Sequence, residues 1–298
     1  MASLLEIKKK INSVKSTKKI TKAMQLVATS KMKNFQKKAF STRQYLWDLL
    51  NVLQKNLSKD MQSIYTEKRT EGKTLFVVYT SDKGLCGALN ANILKGAFRS
   101  SKWKDLKDDQ KTLITIGKKA KEFARSRNFP IEKSFTEVQE NLRPIDTLHI
   151  IDHIINLWKS KKIKEVIFVA PHFQNTFTFY PVLKTFLPFS AEMIKTNIGH
   201  GESKYRSSVS RRKYMYYEPD QDRVVHVLFS QIIQGIFVQS FFELKAAEYS
   251  SRMLAMQNAT DSADRILGDL TLTYNKARQQ AITQQLAELI GASESIAN

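Results

Sequence analysis

The stretch between residues 4 and 27 reads LLEIKKKINSVKSTKKITKAMQLV and decides how the N-terminal part of the chain folds. Its apolar residues recur every three or four positions, which is the spacing of a coiled-coil seam. No Gly or Pro precedes position 72, so the pattern predicts one uninterrupted helix over residues 2–58, about 85 Å long at ~1.5 Å per residue. The predicted seam consists of Leu4, Ile7, Ile11, Val14, Ile20, Met24, Val27, Phe35, Ala39, Leu46, Leu50, Leu53 and Leu57.

A second long helical pattern occupies the C-terminal part of the chain. Pro219, Asp220 and Asp222 suit the start of a helix, and the pattern then continues over residues 222–290. Residues 224–242 carry no formal charge, but their Ser, Gln and His content predicts a buried helix rather than a membrane span. We expect the two long helices to pair as an antiparallel coiled coil. The predicted inner face consists of Ile266, Leu270, Tyr274, Ala277, Ala281, Leu286 and Leu289.

The middle of the chain has a different pattern, in which short β-rich runs alternate with helical stretches. This alternation predicts a parallel sheet in an α/β domain. The predicted strands are residues 74–80, 112–116 and 165–170, with further edge material at 173–189. The predicted helices are residues 88–100, 118–127 and 144–158. The predicted fold class is thus α/β, a long antiparallel coiled coil with a central Rossmann-like domain. Its parts are residues 1–58, a domain at 74–194, a connector at 195–221, and a helix at 222–298.

Charge favours an anionic partner. Lys plus Arg is 48 and Asp plus Glu is 28, so the formal net charge is +20. Residues 1–40 contain eleven lysines and one acid, Glu6. Such an excess attracts nucleic acid, acidic lipid or an acidic protein surface. Few aromatic residues interleave these lysines, which disfavours single-stranded nucleic acid. The single cysteine, Cys86, fits a reducing compartment.

Two segments have the residue types of a catalytic or metal site. The loop Ser81-Asp82-Lys83-Gly84-Leu85-Cys86-Gly87 follows a predicted strand, but it lacks both glycine-rich nucleotide-binding patterns, and no base for Cys86 is identifiable. We therefore expect a structural turn. His149 and His153 lie four positions apart on a predicted helix, which is a metal-ligand spacing, and Asp152 stands where some metalloproteases have Glu. A third ligand is not identifiable, so an ordinary helix surface is expected. The sequence predicts no catalytic residue, no metal and no cofactor.

Three stretches resemble a known family. Residues 11–33 read INSVKSTKKITKAMQLVATSKMK, residues 81–90 read SDKGLCGALN, and residues 251–286 read SRMLAMQNATDSADRILGDLTLTYNKARQQAITQQL. These stretches, in this order, resemble the signatures of the gamma subunit of F-type ATP synthases, in a bacterial-type form. The resemblance implies a rotor shaft inside a ring of alpha and beta subunits, attached to the epsilon subunit and the membrane c-ring. It also implies one copy per complex, no nucleic acid, and a peripheral position on the cytoplasmic side of the bacterial inner membrane.

The resemblance also assigns roles to individual residues. Positions that match the family's ring-contact residues are Met24, Arg252, Arg278, Gln279 and Thr283. The mid-chain structural motif corresponds to Ser81, Asp82, Gly84, Cys86, Gly87 and Asn90. Two positions depart from the pattern: Gln285 stands where the family usually has an acid, and Ala88 stands where Gly is common. No catalytic residue is implied, since nucleotide chemistry in this family belongs to the ring.

Two other functions compete with this one. The first is a basic coiled-coil protein that binds nucleic acid or anionic membrane. The second is an enzyme that uses the α/β domain, with Cys86 or the pair His149 and His153. Co-purification with ring subunits, rather than with DNA or lipid, would separate the rotor from the first of these.

Overall fold

The computed structural model describes residues 4–56, 63–189 and 217–297. The chain divides into two compact units. One unit contains Met1–Thr29 and Arg252–Asn298, and the other contains Ser30–Ser251. The predicted connector at 195–221 lies outside the described residues as far as position 216, as do Leu57 and the last residues of the predicted domain, 190–194.

Two long helices run through both units. Helix α1 covers Leu4–Asn56 and has 53 residues, and helix α6 covers Gln221–Ala297 and has 77 residues. In the larger unit, the Phe35 ring stacks on Tyr249 at 5.6 Å, and a Cβ added to Gly235 would lie 2.5 Å from Leu46 Cδ2. As residue numbers increase along α1, the numbers of the residues that they contact on α6 decrease. The helices are antiparallel, as predicted.

The smaller unit shows the same antiparallel pairing with a different seam from the predicted one. The Thr21 and Thr260 hydroxyls are 2.8 Å apart, and Lys18 pairs with Asp264. Ile20 is 59% exposed and Val27 57% exposed, so both seam predictions are wrong. The ~3.6-residue period of the helix explains the error, because a continuous seam that includes Thr21 turns its neighbour Ile20 toward solvent.

The predicted inner face of helix α6 is also displaced by one residue at Ile266. Ala263 is 6% exposed and Leu267 is half-buried, whereas the predicted inner residue Ile266 is 48% exposed. Leu270, Tyr274, Ala277 and Ala281 are half-buried, as expected for an inner face. Small residues at this face permit close approach of the two helices.

The α/β domain contains a five-stranded sheet with strand order β3-β2-β1-β4-β5. Strands β1 to β4 pair in parallel, and β5 is antiparallel to β4 at one edge. The strands are β1 Lys73–Tyr79, β2 Lys111–Ile116, β3 Ile131–Phe135, β4 Ile163–Phe173 and β5 Phe179–Leu187. The helices are α2 Leu89–Phe98, α3 Ser101–Lys104, α4 Lys118–Ser126 and α5 Pro144–Lys159, and a short 3₁₀ turn covers Asp108–Gln110.

The predicted strands form the centre of this sheet, and the fold-class prediction is confirmed. The sheet has one edge strand that was not predicted, the parallel β3, and its other edge strand, β5, is antiparallel. Strand β3 was not predicted, because Glu132 and Lys133 interrupt its apolar pattern at an exposed edge. Strand β5 returns directly from β4 as a hairpin, which makes it antiparallel.

Helix α6 is the one helix in the described part of the chain whose length and composition would allow it to cross a membrane, over Gln221–Ile290. Its most apolar window has a mean hydropathy of 1.5, and 56% of that window is buried inside the protein. Phe229, Ile232, Phe237 and Phe241 are each at most 1% exposed. This burial supports the predicted core helix rather than a membrane span.

Candidate functional site

The mid-chain loop after β1 is organised by Asn90. Its Oδ1 accepts a hydrogen bond from Ser81 N at 3.0 Å. Its Nδ2 donates to Ser81 Oγ at 2.7 Å and to Cys86 Sγ at 3.2 Å. One amide side chain therefore holds both ends of the loop together.

The Cys86 thiol is part of this internal network rather than of an open site. Cys86 is 2% exposed, and its Sγ lies 3.6 Å from Ser81 Oγ. Its backbone carbonyl accepts a hydrogen bond from Ser251 Oγ of α6 at 2.6 Å. These contacts attach the loop to the long helix and favour the structural interpretation of this motif.

Asp82 and Gly87 fix the path of the backbone in this loop, whereas Gly84 has no such constraint. Asp82 Oδ1 accepts hydrogen bonds from the backbone N–H groups of Lys118, at 3.0 Å, and Glu137, at 3.1 Å. It therefore satisfies a free donor at the start of α4. Gly87 has φ +54°, in the left-handed region that favours glycine. Gly84 is exposed, and a Cβ there would meet no atom within 4 Å.

The candidate metal ligands on α5 lie on one helix and differ in exposure. His149 and Asp152 are exposed, and His153 is half-buried with its ring 6.2 Å from that of Phe135. Burial, together with Lys133, lowers the pKa of His153. Within residues 4–56, 63–189 and 217–297, no group of three His, Cys, Asp or Glu side chains could hold a metal ion.

The five residues matched to ring contacts all lie in the smaller unit. Met24 is half-buried beside the coil seam, and Arg252 is only 7% exposed. Arg278, Gln279 and Thr283 are exposed, and Thr283 Oγ1 donates to the Gln279 carbonyl at 3.0 Å. The family resemblance assigns the same role to all of these residues. In the structure, Arg278, Gln279 and Thr283 are exposed, whereas Arg252 is buried.

The C-terminal part of α6 exposes an apolar stripe. Ile282 is 48% exposed, Leu286 55%, Leu289 67% and Ile290 60%. The prediction that Leu286 and Leu289 belong to the inner face is therefore wrong. The pairing of Thr21 with Thr260 explains the error, because it brings the first described residue of α1 opposite about residue 277 of α6. The stripe is an exposed apolar surface that the sequence analysis did not predict.

Comparisons with known proteins agree on one family. A family model described as ATP synthase matches residues 3–296. The ATP synthase gamma chain of Staphylococcus saprophyticus is 32% identical over 299 residues, covering 99% of this chain and 100% of the relative. That of Exiguobacterium sibiricum is 34% identical over 295 residues, covering 98% and 99%.

Solved structures give the same result. The central stalk and c-ring structure of the Tetrahymena thermophila mitochondrial ATP synthase contains a chain with a TM-score of 0.57 and 25% identity, covering 80% of this chain and 99% of that one. A chain of the Euglena gracilis mitochondrial ATP synthase rotor has a TM-score of 0.63 at 16% identity, covering 94% and 98%, which supports the fold. Given the end-to-end match with bacterial gamma chains, the chain belongs to the ATP synthase gamma chain family.

Proposed function

We propose that this chain is the central rotor shaft of a bacterial F-type ATP synthase, which couples proton flow through the membrane sector to ATP synthesis or hydrolysis in a ring of alpha and beta subunits. The observation that carries the proposal is the alignment with gamma chains over 99% of the chain, at 32% identity. The antiparallel pairing of α1 and α6, which is seen within each unit, supports the shaft role.

The C-terminal part of α6 supports insertion into a ring. Its exposed apolar stripe, from Ile282 to Ile290, would be costly in water at ~25 cal/mol per Å², and a surrounding apolar collar would cover it. An apolar contact is also non-directional, so it can hold a shaft while allowing rotation. Lysines on α1 supply positive charge for acidic loops of the ring.

The proposed partners are the alpha and beta subunits, the epsilon subunit and the c-ring, with one copy of this chain per complex. The chain would be peripheral to the membrane, on its cytoplasmic side. We also propose that it performs no catalysis itself. The loop after β1 lacks a nucleotide-binding pattern, and Asn90 and Cys86 are engaged in internal hydrogen bonds.

Coupling contacts are proposed for Met24, Arg278, Gln279 and Thr283. Arg252 is 7% exposed, so it would reach a ring only through that small fraction of its surface. Arg278 is the sharpest candidate, because an exposed guanidinium can form paired hydrogen bonds with a carboxylate. One desolvated, charge-assisted contact is worth about 1.5–3 kcal/mol. Losing a contact made only at certain rotor angles should therefore change turnover by about tenfold.

This assignment is tested with Arg278→Ala in the reconstituted complex, by measuring assembly and ATP hydrolysis. Arg125→Ala is the matched control, because Arg125 is an exposed arginine on α4 of the α/β domain. We expect normal assembly in both variants and altered turnover in Arg278→Ala alone. Equal turnover in both variants would remove Arg278 from the coupling contacts.

The whole proposal is tested by purifying the tagged chain from its native membrane and identifying what remains bound. Alpha, beta, epsilon and c subunits in fixed ratio are the expected result. Recovery of nucleic acid or lipid without ring subunits would instead favour the basic coiled-coil alternative. Hydrolysis of ATP by the isolated chain would contradict the non-catalytic role.

A further inference from the structure

Two polar junctions in the larger unit each join three parts of the chain that are far apart in sequence. Each junction centres on one carboxylate that contacts α1, α6 and the α/β domain. Glu243 of α6 forms the centre of the first junction, and Glu140, in the segment between β3 and α5, forms the centre of the second.

The first junction is almost completely buried. The Glu243 side chain is 2% exposed and accepts a hydrogen bond from Arg43 Nη2 of α1 at 2.6 Å. Its other oxygen lies 3.2 Å from His172 Nδ1 of β4. Gln239 Nε2 donates to the same carboxylate at 3.0 Å, and Arg43 also donates to the Phe173 carbonyl at 3.3 Å. Both helices and the sheet therefore meet at one carboxylate.

The second junction has the reverse arrangement, because here the domain supplies the carboxylate. Glu140 Oε2 accepts from Lys31 Nζ of α1 at 2.6 Å, and Glu140 Oε1 accepts from the Tyr249 hydroxyl of α6. Lys31 Nζ also donates to the Tyr249 hydroxyl at 3.3 Å. The Tyr249 ring stacks on Phe35, which fixes the position of the hydroxyl group.

The spacing of the junctions matters for mechanics. Lys31 and Arg43 are twelve positions apart on α1, which is about 18 Å along a helix. Apolar burial is non-directional, so by itself it does not set a single angle between a helix and the surface that it covers. Hydrogen bonds depend steeply on angle and distance. Two hydrogen-bonded junctions at separate levels of α1 therefore oppose both rotation and sliding of the domain.

We propose that these two junctions lock the α/β domain to the helix pair, so that torque passes between the domain and the helices without slippage. The proposal rests on the rotor function proposed above. His172 and Tyr249 are the positioning residues, because each links the domain to α6.

The test uses His172→Phe and Tyr249→Phe, alone and together, in the reconstituted membrane complex. His172→Phe removes the hydrogen bond with Glu243, and Tyr249→Phe removes the hydrogen bonds of the hydroxyl with Glu140 and Lys31. Both variants retain the Arg43–Glu243 and Lys31–Glu140 ion pairs. Tyr45→Phe is the matched control, since the Tyr45 hydroxyl contacts Gln231 of α6 at 3.4 Å and joins the two helices to each other rather than to the domain. Two quantities are measured: ATP hydrolysis and the number of protons pumped per ATP.

Each lost hydrogen bond should make its junction open about fivefold more often. In each single variant the other junction and the Ser251–Cys86 hydrogen bond still hold the domain, so each should pump protons nearly normally without an opposing gradient. In the double variant, we expect ATP hydrolysis to persist while the protons pumped per ATP fall by about twofold or more, since both polar junctions are weakened. Tyr45→Phe should match the parent chain in both measurements.

Parent-like pumping per ATP in the double variant would overturn the proposal, even if its thermal stability decreased. If the double variant does not assemble, the single variants decide the question under an increasing opposing gradient. His172→Phe and Tyr249→Phe should each stop pumping protons at a lower opposing gradient than Tyr45→Phe. If all three variants stop at the same gradient, the proposal is overturned. Failure of the parent chain to assemble or couple would instead contradict the rotor function itself.

Discussion

Acid should weaken the larger unit through one carboxylate, Glu243. Burial alone would raise its pKa, but the hydrogen bond with His172 and the positive charges of Lys184 and Arg43 outweigh burial and lower the pKa from 4.5 to about 2. A carboxylate with a lowered pKa stabilises the fold above its unfolded pKa and loses that contribution as pH falls through the folded value. The relevant window is therefore pH 4.5 to about 2.

The size of the effect follows from the shift. Each pKa unit corresponds to ~1.4 kcal/mol, so the contribution of Glu243 at neutral pH is about 3 kcal/mol. Glu243→Gln removes it and leaves Arg43 and Lys184 without their counter-charge, which places the expected loss of stability at pH 7 at about 3–5 kcal/mol. The cost is large because Glu243 lies where both helices meet the sheet.

The assay is chemical unfolding of the purified chain between pH 2 and 7, followed by tryptophan fluorescence. Trp103 and Trp158 are 4% and 0% exposed and report on the α/β domain. Subtracting the variant from the parent isolates Glu243, since other carboxylates titrate equally in both. Glu122→Gln, which alters an exposed ion pair with Lys119, is the control and should change the unfolding free energy by less than ~0.5 kcal/mol. A parent-minus-variant difference that is constant from pH 4.5 to 2 would refute this reasoning.

Four further substitutions test individual contacts. Gly117→Ala should destabilise the domain by several kcal/mol, because its φ is +98° and a Cβ would lie 2.1 Å from the Thr80 carbonyl oxygen; an unchanged melting temperature would contradict this. Gly268→Ala on α6, where a Cβ meets open space, should stabilise the helix by about 0.5–1 kcal/mol, measured by thermal unfolding. Cys86→Ser should leave coupled ATP synthesis nearly intact, and its abolition with normal assembly would show that the thiol is functional. Tyr79→Phe should be neutral or stabilising in denaturant unfolding, because the Tyr79 hydroxyl is buried and has no hydrogen-bond partner in the described part of the chain.

The long helices and the central strands could be predicted from sequence because their signals are local. Seven residues from Lys73 to Tyr79 are almost all apolar and β-favouring, and the chain that precedes Gly72 lacks helix breakers. The residues of the helix–helix seam were predicted less well. The local sequence pattern is compatible with either Ile20 or Thr21 in the seam, and only contacts with the partner helix determine which of them lies there. Strand β3 was missed because its pairing with β2 is a tertiary property of a charged edge.

The polar junctions could not have been predicted from the pattern. Glu243 lies in a run that reads as an ordinary helix, and its partners Arg43 and His172 are 200 and 71 positions away. A charge that follows an uncharged apolar run indicates a buried partner, but a single sequence does not say which one. The proposed ring contacts of Met24, Arg278, Gln279 and Thr283 rest on family resemblance for the same reason, since their partners belong to other chains.

Burial of Cys86 also decides how the molecule can be labelled. The chain has a single cysteine, and its thiol is 2% exposed inside the loop held by Asn90. Thiol reagents react with accessible thiolates, so this sulfur should react slowly in the folded protein. A cysteine introduced at an exposed position of α6 would then be the preferred point of attachment for a fluorophore or a bead. The natural chain thus offers a background for single-molecule rotation measurements in which Cys86, and the loop it stabilises, remain unaltered.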